Sequence, residues 1–205
     1  MEIRILGMME HSDADALMRQ LQRERVEDLI EDTILMLEHP EVVTIGPRAR
    51  KEGVVIPEGY QSQDVDRGGG ITWHGPGQLV IYPIIRWRQD DEKSVAQIIN
   101  KLENWIINTL AEYSIKATRD ERMQGVWVDG HKICSIGLSF LHWVSRHGLT
   151  VNIDTPPGRV EAVSGCGLGA DVTTSLKSLG YSLEINDFIE SLNNTVEKCL
   201  GRNIS

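Results

Sequence analysis

Three consecutive runs decide the fold: LVIYPII (79–85), SVAQIINKLENWIINTLAEY (94–113) and VWVDGHKICSIGL (126–138). The first is continuously apolar and strand-length, which predicts a strand buried on both faces. In the second, Ser94 and Gln97 form a capping box. Val95, Ile98, Ile99, Leu102, Trp105, Ile106, Leu110 and Tyr113 then recur at three- and four-residue spacing, predicting an amphipathic helix. In the third, Asp129-Gly130 supplies the positive φ angles of a type I′ turn between two apolar runs, predicting a hairpin. Helices interspersed with strands and hairpins imply an α/β chain of the α+β type, a mixed β-sheet flanked by helices.

Upstream, Ser12 stands as an N-cap with Asp15 at the capping-box position. Leu17, Met18, Leu21, Val26, Leu29 and Ile30 follow at roughly helical spacing, with a break expected near Arg25. Thr33–Leu37 and Val42–Ile45, bounded by His39-Pro40 and Gly46-Pro47, predict two short strands. Downstream, a strand pair is expected near Ser139–Val144 and Leu149–Ile153, and Asp171–Leu176 reads as the opening of a short helix. The last helix is expected from about Asn186, burying Phe188, Ile189, Leu192, Val196 and Cys199 or Leu200, with Gly201 closing it. No repeat of roughly 20–50 residues and no long linker interrupts the chain, so a single domain over residues 1–205 is expected.

The 205 residues carry 21 basic and 30 acidic side chains, a net charge of −9. Residues 1–40 hold 10 acids against 4 bases and residues 181–205 hold 4 against 2, while residues 41–180 are nearly balanced at 16 against 15. Without a basic excess to neutralise phosphates, nucleic-acid binding is disfavoured. No apolar run approaches the ~18 residues of a membrane helix. The first residues lack a basic segment followed by an apolar stretch, so a soluble, cytoplasmic protein is expected, with no membrane partner. Cys134, Cys166 and Cys199 are an odd number without C-x-x-C spacing, which fits a reducing compartment. His11, His39, His74, His131, His142 and His147 form no H-x-x-x-H pair, and neither a metal nor another cofactor is expected.

Eight of the 19 glycines fall in two windows. The first is RGGGITWHGPGQ (67–78), where five glycines, Arg67, His74 and Gln78 share twelve residues. Backbone this bare lets a ligand approach closely, and the reading is a substrate-cradling loop. Neither a dinucleotide nor a P-loop fingerprint is present. The second window is VSGCGLG (163–169), which sets the Cys166 thiol between glycines. A helix start nearby would supply N–H donors and positive potential that favour a thiolate and an oxyanion. Burial in the core is the usual fate of a cysteine, and Cys199 on the apolar face of the last helix fits it. Strict alternation along 132–137 places Lys132, Cys134 and Ile136 on one face and Ile133, Ser135 and Gly137 on the other. A Lys132 ammonium facing the site would depress a nearby thiol's pKa and, once deprotonated, act as a base.

The motifs Arg67-Gly-Gly-x-x-Thr-x-His74-Gly-Pro-Gly-Gln78, Gly125-Val-Trp-Val, Lys132-Ile-Cys-Ser-Ile-Gly137, His147-Gly-Leu-x-x-Asn152 and Cys166-Gly, in that order, resemble the lipoyl(octanoyl) transferases. Leu37-Glu-His-Pro40 and Val43-Thr-Ile-Gly46 extend the resemblance, which covers about residues 30–176. It implies the catalytic fold of biotin and lipoate protein ligases. It also implies a cytoplasmic acyltransferase that moves an octanoyl or lipoyl group from an acyl carrier protein thioester to a lysine. The acceptors implied are the lipoyl domains of 2-oxo-acid dehydrogenase E2 subunits and the glycine-cleavage H protein. The catalytic cysteine corresponds to Cys166 and the lysine that lowers its pKa to Lys132. The substrate-binding stretches correspond to Arg67, Gly68, Gly69, Gly70, Ile71, Thr72, Trp73 and His74; to Ser135, Ile136 and Gly137; and to Gly148, Leu149 and Thr150. Three residues depart from the pattern: Trp73 for a tyrosine, Gly165 for a proline and Gly70 for a polar residue. They bear on pocket shape and loop stiffness, not on reaction type.

On this reading Cys166 attacks the carrier thioester, and the acyl-enzyme, at nearly the same chemical potential, needs no ATP. The acceptor amine then attacks with Lys132 as base, and N–H groups around Gly167 steady the oxyanion. His74 is assigned to pocket construction or substrate orientation. Arg48, Arg50, Lys51, Arg67, Arg86, Arg88 and Arg146 are expected to form a local patch for an acidic carrier. The alternatives are an ATP-dependent lipoate or biotin ligase of the same fold, a Cys166–His74 hydrolase, and a non-catalytic protein that binds acyl chains or lipoyl domains.

Overall fold

The structure is a computed structural model that describes residues 1–53, 56, 58–163 and 172–204. In chain order the elements are β1 (Glu2–Met8), α1 (His11–Val26), β2 (Thr33–Glu38), β3 (Val42–Ile45), α2 (Pro47–Glu52), β4 (Ser62–Asp64), β5 (Ile71–His74) and β6 (Gln78–Ile84). Then follow α3 (Val95–Glu112), β7 (Ala117–Asp120), β8 (Met123–Val128), β9 (His131–Leu141), β10 (Val144–Asn152), α4 (Arg159–Ala162) and α5 (Ile185–Leu200). Seven strands form a sheet in the order β1-β2-β6-β10-β9-β8-β7, and β4-β3-β5 form a second, smaller sheet. The large sheet is mixed, with β1 parallel to β2 and its other neighbours antiparallel.

The continuous apolar strands are explained by helices on both faces. Ile34, Met36, Leu79 and Ile81 point into the main core against α3 and α5, with Trp105, Ile106, Phe188 and Leu192. The alternate residues Leu35, Leu37, Val80, Tyr82 and Ile84 point the other way, onto Ala14, Met18 and Leu21 of α1. Ser94 caps α3 as expected, its hydroxyl accepting the Gln97 N–H at 3.2 Å. The 129–130 turn has the expected positive φ angles, 49° and 78°. Gly201, at φ 65°, closes α5.

Several expectations are corrected. Ser12 is not the cap: α1 starts two residues earlier, at His11 after Glu10, with no side-chain cap bond, and the His11 ring bonds the Gln63 side chain at 2.9 Å. The break expected near Arg25 is present, the helix ending at Val26 with Asp28 left-handed; beyond it Leu29 is 69% exposed, while Ile30 packs onto the α1 core from outside the helix. Ser139–Val144 is not a strand of its own. β9 runs through Ser139 to Leu141, and a tight turn at His142-Trp143 (φ 48° and 62°) leads straight into β10. Val172–Leu176 open no helix, since Thr173 instead bridges Lys132 in parallel. Cys199 is half-buried while Leu200 is fully buried. β1, β4, β5 and β7 and the short helices α2 and α4 go beyond the sequence reading.

The alternation along β9 also fails, for a reason that matters to the site. Val126 pairs with Cys134 but Trp127 with Lys132, so Ile133 is an extra residue, a β-bulge. Ile133 and Cys134 both face the main core, whereas Lys132 and Ser135 face the opposite side. Cys134 is therefore sealed away from Lys132's face, and burial pushes its thiol up to about 12.

Candidate active site

A cleft of about 380 Å³ lies between the α1 face of the large sheet and the small sheet. Its floor is made by β6, β10 and β9, which contribute Gln78 and Tyr82, Gly148 through Thr150 with Asn152, and Ser135 through Gly137. Its opposite wall is β5 with the strap Arg67–Gly70, and Val160 and Val163 close one side. Every described residue that the sequence analysis assigned to the site lines this one cleft: Lys132, Arg67 through His74, Ser135 through Gly137, and Gly148 through Thr150. Cys166 and Gly167 lie outside the described residues. The chain on either side of them reaches the cleft, at Val163 before and Thr173 after.

Glycines are required where backbones meet. The Gly68 N–H donates to the Leu138 carbonyl at 2.9 Å, bringing the strap down on β9. A side chain at Gly137 would place its Cβ 2.7 Å from the Gly68 oxygen and 3.0 Å from Arg67 Cδ. Arg67 itself is 8% exposed, and its guanidinium donates to the carbonyls of Gly68, Gly70 and Thr44 and to the hydroxyls of Thr44 and Thr72. It holds the strap in shape from inside.

Lys132 is 5% exposed. Its Nζ donates to Met123 Sδ at 2.9 Å, and its backbone clasps the segment after Cys166, through Lys132 N–H to Val172 O at 2.8 Å and Thr174 N–H to Lys132 O at 3.0 Å. The stem lies across Gly125, where φ is 133° and an added Cβ would stand 2.7 Å from Lys132 Cε. The Gly125 N–H in turn donates to Glu103 of α3, a buried carboxylate, at 2.9 Å.

Four histidines gather around the cleft. The rings of His11, His39 and His74 have centroids 5.1 to 6.0 Å apart, and His39 bonds Met9 O and the Tyr82 hydroxyl. Burial pulls His39 down to about 4. His74 is drawn well below its usual range by burial, by His39 and His11, and by the Arg67 charge. His147 sits in β10 with φ 59° and bonds Asp66 at 2.7 Å, and burial lowers it to about 4 despite that carboxylate. Asp66 also pairs with Arg146. Burial opposes its ionisation, but His147 and Arg146 together hold its carboxyl below the usual range.

The expected basic patch is corrected. Arg67 and Arg146 are buried, and Arg86 is tucked against Arg25 O and Val26 O. Arg48, Arg50, Lys51 and Arg88 remain at the surface, with Arg48 on the cleft rim. Sequence reasoning missed His11, Asp66, Tyr82, Met123 and Arg122 as cleft neighbours. Nothing local marks them, since each arrives through tertiary packing. Gln78, His147 and Asn152 stood inside motifs already singled out.

A mixed sheet with α3 and α5 on one face, and α1 beside a glycine-walled cleft on the other, is the catalytic fold of lipoate and biotin protein ligases. A solved putative lipoate protein ligase from T. acidophilum with bound lipoic acid superposes with a TM-score of 0.72 at 14% identity, covering 100% of this chain and 88% of that one. The profile of the lipoyl protein ligase A/B catalytic domain matches residues 11–197, and the chain belongs to that family. Its relatives include the octanoyltransferase of Syntrophobacter fumaroxidans, 37% identical over 91% of this chain and 85% of the relative. The octanoyltransferase of Caldicellulosiruptor saccharolyticus is 38% identical over 96% of this chain and 87% of the relative.

Proposed function

We propose that the chain is an octanoyltransferase that takes an octanoyl or lipoyl group from an acyl carrier protein thioester and places it on a lysine of lipoyl domains, working in the cytoplasm. No helix among the described residues is long and apolar enough to cross a membrane. Cys166 attacks the thioester carbonyl and the carrier thiol leaves. The acceptor amine then attacks the Cys166 acyl thioester, the C–S bond breaks, and an amide forms. The ammonium of Lys132 favours the thiolate. It gives its proton to the departing carrier thiolate, and the neutral Lys132 so formed takes a proton from the incoming amine, whose reference pKa near 10.4 leaves it mostly protonated at neutral pH. His74 orients the pocket wall. The acceptors are the lipoyl domains of 2-oxo-acid dehydrogenase E2 subunits and the glycine-cleavage H protein.

The observation that carries this reading is the placement of Lys132. It is a buried lysine on the cleft wall, and its own backbone is hydrogen-bonded to the segment that follows Cys166. An ammonium in so dry a site interacts with a neighbouring charge far more strongly than one in water. Intact-mass spectrometry after mixing with octanoyl carrier protein tests it. The expected result is one octanoyl adduct at Cys166, absent in Cys166→Ser, slowed in Lys132→Met, and transferred to a lipoyl domain without ATP. An adduct at Cys134 or Cys199, or free octanoate as the sole product, refutes the assignment.

A further inference from the structure

Seven groups in the cleft wall are joined in one line. Arg67 Nη2 meets Thr44 Oγ1 at 2.8 Å, Thr44 Oγ1 meets His74 Nε2 at 3.0 Å, and His74 Nδ1 meets Gln78 Oε1 at 2.8 Å. Gln78 Nε2 meets Asn152 Oδ1 at 2.8 Å, and Asn152 Nδ2 meets the Thr174 carbonyl at 3.0 Å. The Thr174 N–H closes the line on the Lys132 carbonyl.

The direction of every bond is fixed by groups that have no choice. Arg67 can only donate. The Thr174 carbonyl can only accept, so Asn152 must turn its NH₂ toward it and its oxygen toward Gln78. Gln78 Nε2 also faces the Trp73 carbonyl at 2.9 Å, a second pure acceptor, which independently puts Gln78's oxygen toward His74. His74 Nδ1 must then carry the hydrogen, leaving Nε2 to accept from Thr44. The other acceptor within reach of the Thr44 hydroxyl, the Thr72 carbonyl, is at 3.4 Å.

We propose that His74, Gln78 and Asn152 are positioning residues: with His74 locked as the neutral Nδ1–H tautomer, they form a one-directional hydrogen-bond chain that sets the spacing between the glycine strap and the Lys132 strand. The chain crosses from the small sheet to the large one, and consecutive bonds of the same sense polarise one another. Both imidazole nitrogens are engaged, so His74 has no lone pair to offer a thiol or a water, and it is not the general base of a hydrolase. A second proton on His74 would meet Thr44's hydroxyl, already bonded to Arg67, and would sit in the field of Arg67, His11 and His39. The effect on turnover rests on the acyl-transfer reading, with Lys132 as the group being placed; the tautomer and the clasp do not.

Long-range ¹H–¹⁵N spectra of the uniformly labelled full chain read the His74 ring directly. The expected result is a single neutral Nδ1–H form that does not titrate between pH 8 and about 5. An Nε2–H tautomer, or titration near the ordinary histidine pKa, overturns the proposal. Asn152→Asp supplies the functional arm, since a carboxylate still accepts from Gln78 but faces the Thr174 carbonyl with no donor. Loss of one such bond predicts a fall in kcat of about tenfold at unchanged KM for the donor. It also predicts faster amide exchange at Thr174 and Lys132, but not at Leu110 in α3. Unchanged exchange and unchanged kcat overturn the proposal. Faster exchange in a protein whose wild type shows no acyl transfer sinks the function while leaving the clasp intact. If Asn152→Asp does not fold, the wild-type ring spectra decide alone.

Discussion

The Glu103–Gly125 bond gives a prediction that separates hydrogen bonding from charge. Glu103 projects from α3 with only 4% of its side chain exposed. One oxygen takes the Gly125 N–H at 2.9 Å, and the other takes Arg119 Nε at 2.5 Å. Arg119 is 41% exposed, so its ion pair is screened and contributes about 0.5 kcal/mol. Gly125 is fully inside the sheet, and removing its acceptor leaves a buried donor unmet at about 1–3 kcal/mol. Glu103→Gln keeps an oxygen for Gly125 and loses mainly the charge, for about 1 kcal/mol. Glu103→Ala loses the acceptor and buried methylenes besides, for about 3 kcal/mol. In a chain of this size 1 kcal/mol is worth about 2–4 °C, so the alanine variant should melt roughly 4–8 °C below the glutamine variant. Because Gly125 underlies the Lys132 stem, the alanine variant should also lose turnover while the glutamine variant keeps it. Thermal unfolding followed by circular dichroism, paired with octanoyl-transfer rates, reads both. Equal melting temperatures and equal rates in the two variants would refute the argument that this bond seats Lys132.

Acid should destabilise the protein through its buried histidines. His39 and His147 are depressed from 6.5 to about 4, so below pH 6.5 the unfolded chain binds protons the folded one refuses. Stability is full above that pH and falls toward pH 4, by about 3 kcal/mol for each, and His39→Gln should flatten the urea-unfolding profile over that window. Arg202 bonds the buried Glu92 carboxylate and Asp32. Although burial works against it, Arg202 and Lys101 hold Glu92 down to about 2. Arg202→Ala should therefore cost about 3–5 kcal/mol by denaturant titration, and a loss under 1 kcal/mol would contradict the pairing. Gly137→Ala places a Cβ 2.7 Å from the Gly68 oxygen. Its expected signature is a raised KM for the octanoyl donor with a melting temperature close to wild type, because the strap yields before the sheet does.

Much of the architecture was legible because burial writes periodicity into sequence. The doubly covered β6 reads as an unbroken apolar run, and α3 as a three-four stripe with Ser94 as its cap. The turn at 129–130 announces itself through Asp-Gly, whereas the equivalent turn at His142-Trp143 contains no Gly, Asn or Asp and stayed hidden. β1 was missed although Glu2-Ile3-Arg4-Ile5 alternates, because its partner β2 lies some thirty residues away and only the pairing makes it a strand. Within the site, glycine clustering marked the strap, whereas its landing point at Gly137 was marked only by the family motif Lys132-Ile-Cys-Ser-Ile-Gly137. The basic patch failed because charge counts carry no information on burial. Arg67, Arg86 and Arg146 are turned inward onto carbonyls and carboxylates, with the Nε of Arg86 and of Arg146 left buried without a partner among the described residues.

The extra residue at Ile133 has a consequence for how this chain can vary. Removing Ile133 itself would restore plain alternation and leave Lys132 opposite Trp127 on the cleft face, with Cys134 still on the core face. Shortening the chain between Gly130 and Lys132 is the change that would move the ammonium, from its nearly dry cleft wall onto the aliphatic face beneath α3.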